Sequence, residues 1–212
     1  MAETVVLVHG IWMTGLEMYP LARRVRACGY DTVMFGYRSL LQPLAHNAAR
    51  LADRIRQQEA PTIHLVGHSL GGLVILRALQ DHPDLINGRS VLLGSPVNGS
   101  VIAQRVQRYW FSRWLLGRSG RGALLGDGPR WQGQPPLGVI AGTHPVGLGR
   151  LLGGFDSDND GTVALAETSI AGASSTMTID KGHFGLLYST EVARAVCAFL
   201  RQGRFAAATA SA

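Results

Sequence analysis

Short apolar runs alternate with longer amphipathic segments along the chain. The first run, Thr4–Val8 (TVVLV), is β-branched and uninterrupted, which is typical of a strand buried on both faces. Similar runs predict further strands at residues 31–35, 62–66, 90–93, 137–141 and 174–179. Apolar residues at helical spacing predict helices at residues 16–28, 43–58, 70–80 and 191–201. The alternation predicts an α/β fold, with a compact and mostly parallel sheet of about six strands and helices on both faces.

One long segment interrupts this alternation. Residues 98–136 are too many for an ordinary connection in a compact domain, so we expect them to form a structure of their own. Basic and aromatic side chains are interleaved within the segment: Arg105, Arg108, Tyr109, Trp110, Phe111, Arg113, Trp114, Arg118, Arg121, Arg130 and Trp131. We predict that it is a cap or lid inserted into a single domain that spans residues 1–212.

Composition changes this picture only slightly. With 46% hydrophobic and 16% charged residues among 212, the chain is expected to fold around a sizeable core rather than to remain disordered. The net charge of +6 would suit phosphates or anionic lipids, but no nucleic-acid recognition motif accompanies it. We therefore predict no nucleic-acid partner, and the sequence leaves the oligomeric state open.

The cysteines and the N-terminal residues bear on the cellular location. Cys28 and Cys197 lie in amphipathic stretches and form no CxxC or metal-ligand spacing, so we predict two reduced thiols in the core. The sequence shows no signal peptide and no apolar stretch long enough to span a membrane. A cytoplasmic location is the resulting expectation.

The sequence Gly67-His68-Ser69-Leu70-Gly71 follows a predicted strand and precedes a predicted helix. Small residues at both ends of this GxSxG pattern allow the sharp turn that presents a serine in a strained, exposed position. The free amide groups at the start of the helix would face the same place. We therefore predict that Ser69 is a nucleophile.

A serine nucleophile needs a histidine to take its proton and a carboxylate to hold that histidine. His183, in GHFGLLYS, follows the last predicted strand and precedes the closing helix, where the chain returns to the same edge of the sheet. The acid is expected after the fourth or fifth strand, and the acidic stretch DSDND lies in that part of the chain.

Three motifs together resemble those of a known family: HGI after the first predicted strand, GHSLGG after the third, and NDGTV followed by GHFGLLYS. Nearly the whole chain is similar to the α/β-hydrolase superfamily, specifically to its small bacterial lipase and esterase branch. The resemblance implies that Asp160 is the triad acid; Asp158, in the same acidic stretch, is the alternative. It also implies that the N–H groups of Ile11 and Leu70 form an oxyanion hole. The implied activity is ester hydrolysis without a cofactor; acyl transfer or thioester cleavage by the same residues stays open.

The stretch around the acid, DSDNDGTVALAE, also fits the calcium-loop template D-x-[DN]-x-[DN]-G-x5-E. Its flanks, residues 147–154 and 168–175, are too rich in glycine and small residues for the two helices that bracket such a loop, and the sequence has no second loop. We therefore interpret the stretch as a polar turn that carries the acid. The alternative is a calcium ion held by Asp156, Asp158 and Glu167, or a non-catalytic calcium- or lipid-binding module.

Apolar side chains near these motifs are candidates for the substrate pocket. They follow the HG pair, flank the histidine or lie in segment 98–136: Trp12, Met13, Trp110, Trp114 and Phe184. Trp110 and Trp114 share a helical spacing with Val106, which predicts an amphipathic helix over the pocket. Its outward arginines would allow transient contact with an anionic lipid surface; a packed cap with solvated arginines is the alternative. We expect a small-molecule or lipid ester as substrate.

Overall fold

A computed structural model describes residues 2–107, 115–147, 155 and 157–205. Six strands among these residues form one parallel sheet in the order β2-β1-β3-β4-β5-β6. The strands are β1 (Thr4–Val8), β2 (Asp31–Phe35), β3 (Ile63–His68), β4 (Ser90–Leu93), β5 (Leu137–Gly142) and β6 (Ser175–Ile179). The predicted fold class is confirmed.

Strand β1 lies between two apolar cores. Val6 and Val8 belong to the core on one face of the sheet, and Val5 and Leu7 belong to the core on the other, all fully buried. Successive side chains of a strand point to opposite faces, so only an uninterrupted apolar run can serve both cores. Each such side chain contributes roughly 1.5–3 kcal/mol relative to an exposed one.

Helices cover both faces of the sheet. The longer ones divide between the two cores, with α2 and α3 on one face and α1 and α7 on the other. The α-helices of the described residues are α1 (Tyr19–Ala27), α2 (Leu44–Arg56), α3 (Leu70–Asp81), α4 (Val101–Gln107), α5 (Gly117–Gly120), α6 (Gly185–Tyr188) and α7 (Thr190–Gln202). Short 3-10 helices occur at Leu16–Met18, Ala123–Leu125 and Leu165–Thr168. None of the helices in these ranges is long and apolar enough to cross a membrane.

The strand order determines where a site can form. The chain leaves β1 for β2 on one side, and β3 lies on the other side of β1. A crevice therefore opens at the carboxyl edge of the sheet between the loops that follow β1 and β3. The HGI motif and the GxSxG turn stand in these two loops.

The described parts of segment 98–136 are anchored to the body of the domain. Ser119 in α5 makes the central contacts: its N–H donates to the carbonyl of Ser39 at 3.3 Å, and its hydroxyl donates to that of Gln42 at 2.7 Å. The same hydroxyl accepts a hydrogen bond at 2.8 Å from the buried side-chain amide of Asn47 in α2. Because these partners are buried or half-buried, α5 is held against the loop between β2 and α2.

Helix α4 forms the first part of the predicted amphipathic helix. Ala103 and Val106 are buried on its inner side, and Val101 is exposed. Trp110 and Trp114, which the spacing predicts on the same face, lie outside the described residues. The prediction that residues 98–136 form a cap stays a prediction.

The prediction of two reduced thiols is wrong. Cys28, at the end of α1, and Cys197, in α7, form a disulfide with a Cα–Cα separation of 6.4 Å. Helices α1 and α7 lie side by side on the same face of the sheet, which brings together two residues 169 positions apart. A contact of this kind depends on the tertiary packing of helices, and no local spacing in the sequence records it.

Candidate active site

Ser69 lies on a strained turn between β3 and α3. Its φ of 54° and ψ of −124° fall in a region that residues with a side chain rarely adopt. The turn closes because its neighbours are glycines: a Cβ at Gly67 would lie 2.7 Å from the nitrogen of Gly72, and a Cβ at Gly71 would collide with the carbonyl oxygen of His9. The geometry matches the sharp strand-to-helix turn that the GxSxG pattern predicts.

His183 and Asp160 form a buried hydrogen-bonded pair beside this turn. Nδ1 of His183 lies 2.6 Å from Oδ2 of Asp160, and the two side chains are 5% and 1% exposed. The other carboxylate oxygen accepts the N–H groups of Thr162 at 3.0 Å and Val163 at 2.7 Å. A carboxylate held in this way keeps the proton of the imidazole on Nδ1 and leaves Nε2 free to act as a base.

The backbone also joins the histidine loop to the acid loop. The N–H of His183 donates to the carbonyl of Asp160 at 2.8 Å, so the two residues are held at two points. No hydrogen bond joins the hydroxyl of Ser69 to His183 in the part of the chain that the structure describes. Such bonds often tighten only in the complex with substrate.

A glycine after β4 makes room for the pair. Gly94 has a φ of 53°, and a Cβ there would lie 2.9 Å from Oδ2 of Asp160 and 3.2 Å from Nδ1 of His183. A side chain at this position would therefore press on the hydrogen bond itself. Gly94 is not among the residues predicted from the sequence; its place directly after a buried strand is the only signal that could have indicated it.

His68, which the sequence places only within the glycine turn, packs against His183. The ring centroids are 4.6 Å apart, and Nε2 of His68 donates to the carbonyl oxygen of His183 at 3.0 Å. Burial lowers the pKa of His68 well below its ordinary value, and the positive form of His183 lowers it further. His68 is therefore neutral, and its hydrogen bond to the carbonyl oxygen supports the backbone of His183.

The two predicted oxyanion donors lie on either side of this crevice. Neither Ile11 N–H nor Leu70 N–H has a hydrogen-bond partner among the described residues. The loop and the turn approach closely, since a Cβ on Gly10 would lie 3.1 Å from Cβ of Ser69. Trp12, which follows, has a φ of 61°; it and Ser69 are the non-glycine residues with positive φ in the described ranges.

The candidate pocket residues do not all lie at the surface. Trp12 is 48% exposed and Phe184 is 50% exposed, and the ring of Phe184 lies 5.9 Å from that of His183. Met13 is buried in the core instead, and its sulfur accepts the N–H of Gly10 at 3.1 Å. Met13 thus supports the loop from inside.

Glu167, the last ligand of the calcium template, is occupied by backbone donors. Its Oε1 accepts the N–H of Val101 at 2.6 Å, and its Oε2 accepts that of Ala164 at 3.1 Å. Burial raises the pKa of Glu167. Within the described ranges no group of three or more histidine, cysteine or acidic side chains could hold a metal ion, and Asp156 lies outside them. Asp158, the alternative acid, lines an open groove beside β6 and is not the partner of His183.

The comparisons with known proteins agree with this architecture. A family model described as "Alpha/beta hydrolase family" matches residues 5–195. The chain superposes on a lipase, BlEst2 from Bacillus licheniformis, with a TM-score of 0.73 at 20% identity, covering 95% of this chain and 92% of that one. It superposes on the carboxylesterase CesB from Bacillus subtilis with a TM-score of 0.62 at 15% identity, covering 95% and 84%.

One curated relative was also found by sequence. It is the protein named "Putative carbamate hydrolase RutD" of Yersinia enterocolitica, 32% identical over 104 residues. The match covers 45% of this chain and 37% of that protein, so the chain spans well under half of the length of the relative. The match of the family model over most of the chain, together with the parallel sheet and the strained serine turn, shows that the chain belongs to the alpha/beta hydrolase family.

Proposed function

We propose that this chain is a serine hydrolase that cleaves carboxylic esters with Ser69, His183 and Asp160 through an acyl-enzyme intermediate. The observation that carries the proposal is the 2.6 Å hydrogen bond between the buried side chains of His183 and Asp160. It stands beside a serine in a strained backbone conformation, with unpaired N–H groups on both sides.

The chemistry follows from these positions. Nε2 of His183 takes the proton of Ser69, whose oxygen attacks the ester carbonyl carbon. The carbonyl oxygen becomes negative and is stabilised by the N–H groups of Ile11 and Leu70, each worth about 3 kcal/mol. The imidazolium returns its proton to the departing alcohol, and Asp160 stabilises the imidazolium charge. A water molecule activated by the same histidine then releases the acid and restores the serine.

The substrate class rests on the surroundings of the site. Trp12 and Phe184 expose large apolar surfaces beside the serine turn and the histidine, which favours an apolar acyl chain. The structural relatives named as a lipase and a carboxylesterase support an ester. The relative named as a carbamate hydrolase makes carbamates the second candidate, because a carbamate carbonyl would use the same serine and oxyanion donors.

We infer that residues 98–136 cap the pocket within a single domain. The contacts of Ser119 with Asn47 and Gln42 support this, since they fix α5 to the body of the domain. Transient contact with an anionic lipid surface stays a prediction, because Trp110 and Trp114 lie outside the described residues. The cytoplasmic location also stays a prediction, and the disulfide between Cys28 and Cys197 weighs against it, since disulfides persist mainly in oxidising compartments.

Hydrolysis of p-nitrophenyl esters of graded acyl length tests the proposal, with a p-nitrophenyl carbamate as the second substrate. Asp160→Asn should lose about 10⁴-fold in kcat, and Ser69→Ala and His183→Ala about 10⁶-fold. The matched control is Asp158→Asn, which should stay within about threefold because its side chain is exposed. Equal rates for the wild type and Ser69→Ala would overturn the proposal.

Two further arms separate the alternatives from hydrolysis. Added alcohols would divert the acyl-enzyme if acyl transfer were the natural reaction, and the ratio of ester to free acid measures that division. A thioester series run beside the esters tests for a thioesterase. A folded protein that turns over none of these substrates, but melts at a higher temperature with calcium, would be a non-catalytic binding module.

A further inference from the structure

His9, in the HGI motif, makes a contact that the reaction described above does not use. Its Nδ1 lies 2.8 Å from the carbonyl oxygen of Gly10, the next residue in the chain. The ring is fully buried. The contact is therefore shielded from water and spans a single peptide group.

The partners of the ring fix its protonation state. Nε2 of His9 accepts the backbone N–H of Tyr37 at 3.3 Å, so Nε2 must carry a lone pair. Nδ1 faces a carbonyl oxygen and must carry the hydrogen. Burial lowers the pKa of His9, which keeps the ring neutral. His9 is thus a neutral imidazole that donates from Nδ1 to Gly10.

The peptide that receives this hydrogen bond also holds the proposed oxyanion donor. The carbonyl of Gly10 and the N–H of Ile11 belong to one peptide plane, and this peptide is not among the cis bonds of the described residues. In a planar trans peptide the C=O and N–H point in opposite directions. Fixing the carbonyl towards His9 therefore fixes the N–H of Ile11 on the other side. A hydrogen bond to the carbonyl also polarises the peptide and makes its N–H a better donor.

We propose that His9 is a positioning residue, which orients and polarises the Gly10–Ile11 peptide so that the Ile11 N–H can stabilise the oxyanion. The inference rests on the proposed function of the site. His9 acts through the peptide and does not touch the substrate. Its effect belongs to the transition state, because only then does the carbonyl oxygen of the substrate carry the negative charge.

Tyr37 keeps His9 in place from the loop after β2. The two rings stack with centroids 4.3 Å apart and planes 19° apart, and the Tyr37 hydroxyl donates to the carbonyl oxygen of His9 at 2.9 Å. Together with the N–H to Nε2 contact, this gives three contacts to one residue. Met13 holds the other side of Gly10 by accepting its N–H. The loop is therefore fixed before substrate arrives.

Two substitutions of His9 separate the donor from the rest of the ring. In His9→Asn the side-chain NH₂ stands near the place of Nδ1 and can donate to Gly10. In His9→Gln the amide reaches the place of Nε2 and can accept from Tyr37, but no donor remains at the place of Nδ1. Both variants lose the ring stack on Tyr37 to the same extent.

The expected result is a split between the two variants in kcat. His9→Asn should retain kcat within about tenfold of the wild type, whereas His9→Gln should lose about 10²–10³-fold, with KM nearly unchanged in both. The affinity of a trifluoromethyl ketone, which forms a tetrahedral oxyanion on the serine, should fall in parallel with kcat. Equal losses in the two variants, or no loss in His9→Gln, would overturn the inference.

The tautomer supplies a readout that does not depend on turnover. ¹⁵N NMR of histidine-labelled wild-type protein, with the His9 signals assigned by comparison with His9→Asn, should show hydrogen on Nδ1 and none on Nε2. The Nε2–H form, or a charged ring at neutral pH, would refute the geometry. If the wild type cleaves no ester, the proposed function fails on that ground, and the tautomer measurement decides the His9 contact by itself.

Discussion

Ser69 stands on a turn between a buried strand and a buried helix, whereas Asp160 stands in a loop with little regular structure of its own. The turn is held in part by contacts between near neighbours, such as the Gly72 N–H to the Ser69 carbonyl at 3.0 Å, and in part by the Ser69 N–H, which donates to the carbonyl of Leu93 at 2.9 Å. Within the described residues, the acid loop has one isolated bridge, from Asn159 to Ala164. Besides local bonds such as the Asp160 N–H to the Val163 carbonyl at 3.0 Å, it is held from outside, because Glu167 accepts the N–H of Val101, 66 positions earlier in the chain.

Asn98 gives the acid loop a second distant support. Its side-chain amide donates to the carbonyls of Ala166 at 3.1 Å and Ser169 at 2.8 Å. Its backbone N–H donates to the carbonyl of Glu167 at 3.0 Å. The glycines that allow the serine turn to close stand beside Ser69 in the sequence, whereas the segment that supports the acid loop lies far from it along the chain. The segment that begins after β4 thus supports the acid loop.

The largest effect is expected at the serine turn. In Gly71→Ala the new Cβ would collide with the backbone oxygens of Val8 and His9, which cannot move without shifting β1. The free energy of unfolding should fall by about 4 kcal/mol or more, and soluble protein should be hard to obtain. Gly36→Ala is the matched control, since a Cβ there would approach only the Thr14 carbonyl oxygen, at 4.0 Å. Urea unfolding of both variants checks this, and a stable Gly71→Ala protein would contradict the account of the turn.

A smaller but specific effect is expected at the acid loop. Glu167→Ala leaves the N–H groups of Val101 and Ala164 without their acceptor, which should cost about 2–3 kcal/mol in the free energy of unfolding. Ester turnover should also fall, because the loop that carries Asp160 loses its anchor to α4. The control is Glu59→Ala, at an exposed position, which should change neither the free energy of unfolding nor the ester turnover. Thermal melts measure the stability and ester hydrolysis measures kcat. A Glu167→Ala protein as stable and active as the control would show that the acid loop does not need the contacts of Glu167.

These two regions also mark what the sequence can predict. The six strands, the turn around Ser69 and the position of His183 follow from local rules of periodicity, glycine placement and chain order. The pairing of Cys28 with Cys197 does not, because it depends on how two helices pack. Met13 points into the core rather than into the pocket because the chain turns at the positive φ of the preceding Trp12. No residue propensity predicts that turn.

Acid should weaken the protein in part through the serine turn. The pKa of His68 is lowered by burial, so between that lowered pKa and about pH 6.5 the unfolded chain binds a proton that the folded protein does not. Stability therefore falls as the pH falls through this window, by on the order of 1 kcal/mol per pH unit from this residue. His9 and His64, whose pKa values burial also lowers, act in the same direction.

His68→Gln isolates this contribution, because its amide can still donate to the carbonyl of His183 but cannot titrate in this range. The slope of unfolding free energy against pH between pH 5 and 6.5 should decrease by about one proton relative to the wild type. Urea titrations over this pH range measure both slopes, and identical slopes for His68→Gln and the wild type would mean that His68 binds as many protons in the folded protein as in the unfolded chain.

Calcium should have no effect on stability or on ester turnover. The template needs free oxygens, but Asp160 gives one to the N–H groups of Thr162 and Val163 and the other to His183. Glu167 gives both of its oxygens to backbone N–H groups. A cation would have to displace these donors and leave them buried without partners, which costs more than an exposed loop could regain. Melting temperature and ester turnover should therefore be the same with millimolar calcium and with chelator. A calcium-dependent rise in melting temperature that disappears in Asp158→Asn would show that the loop exchanges its backbone donors for a metal ion.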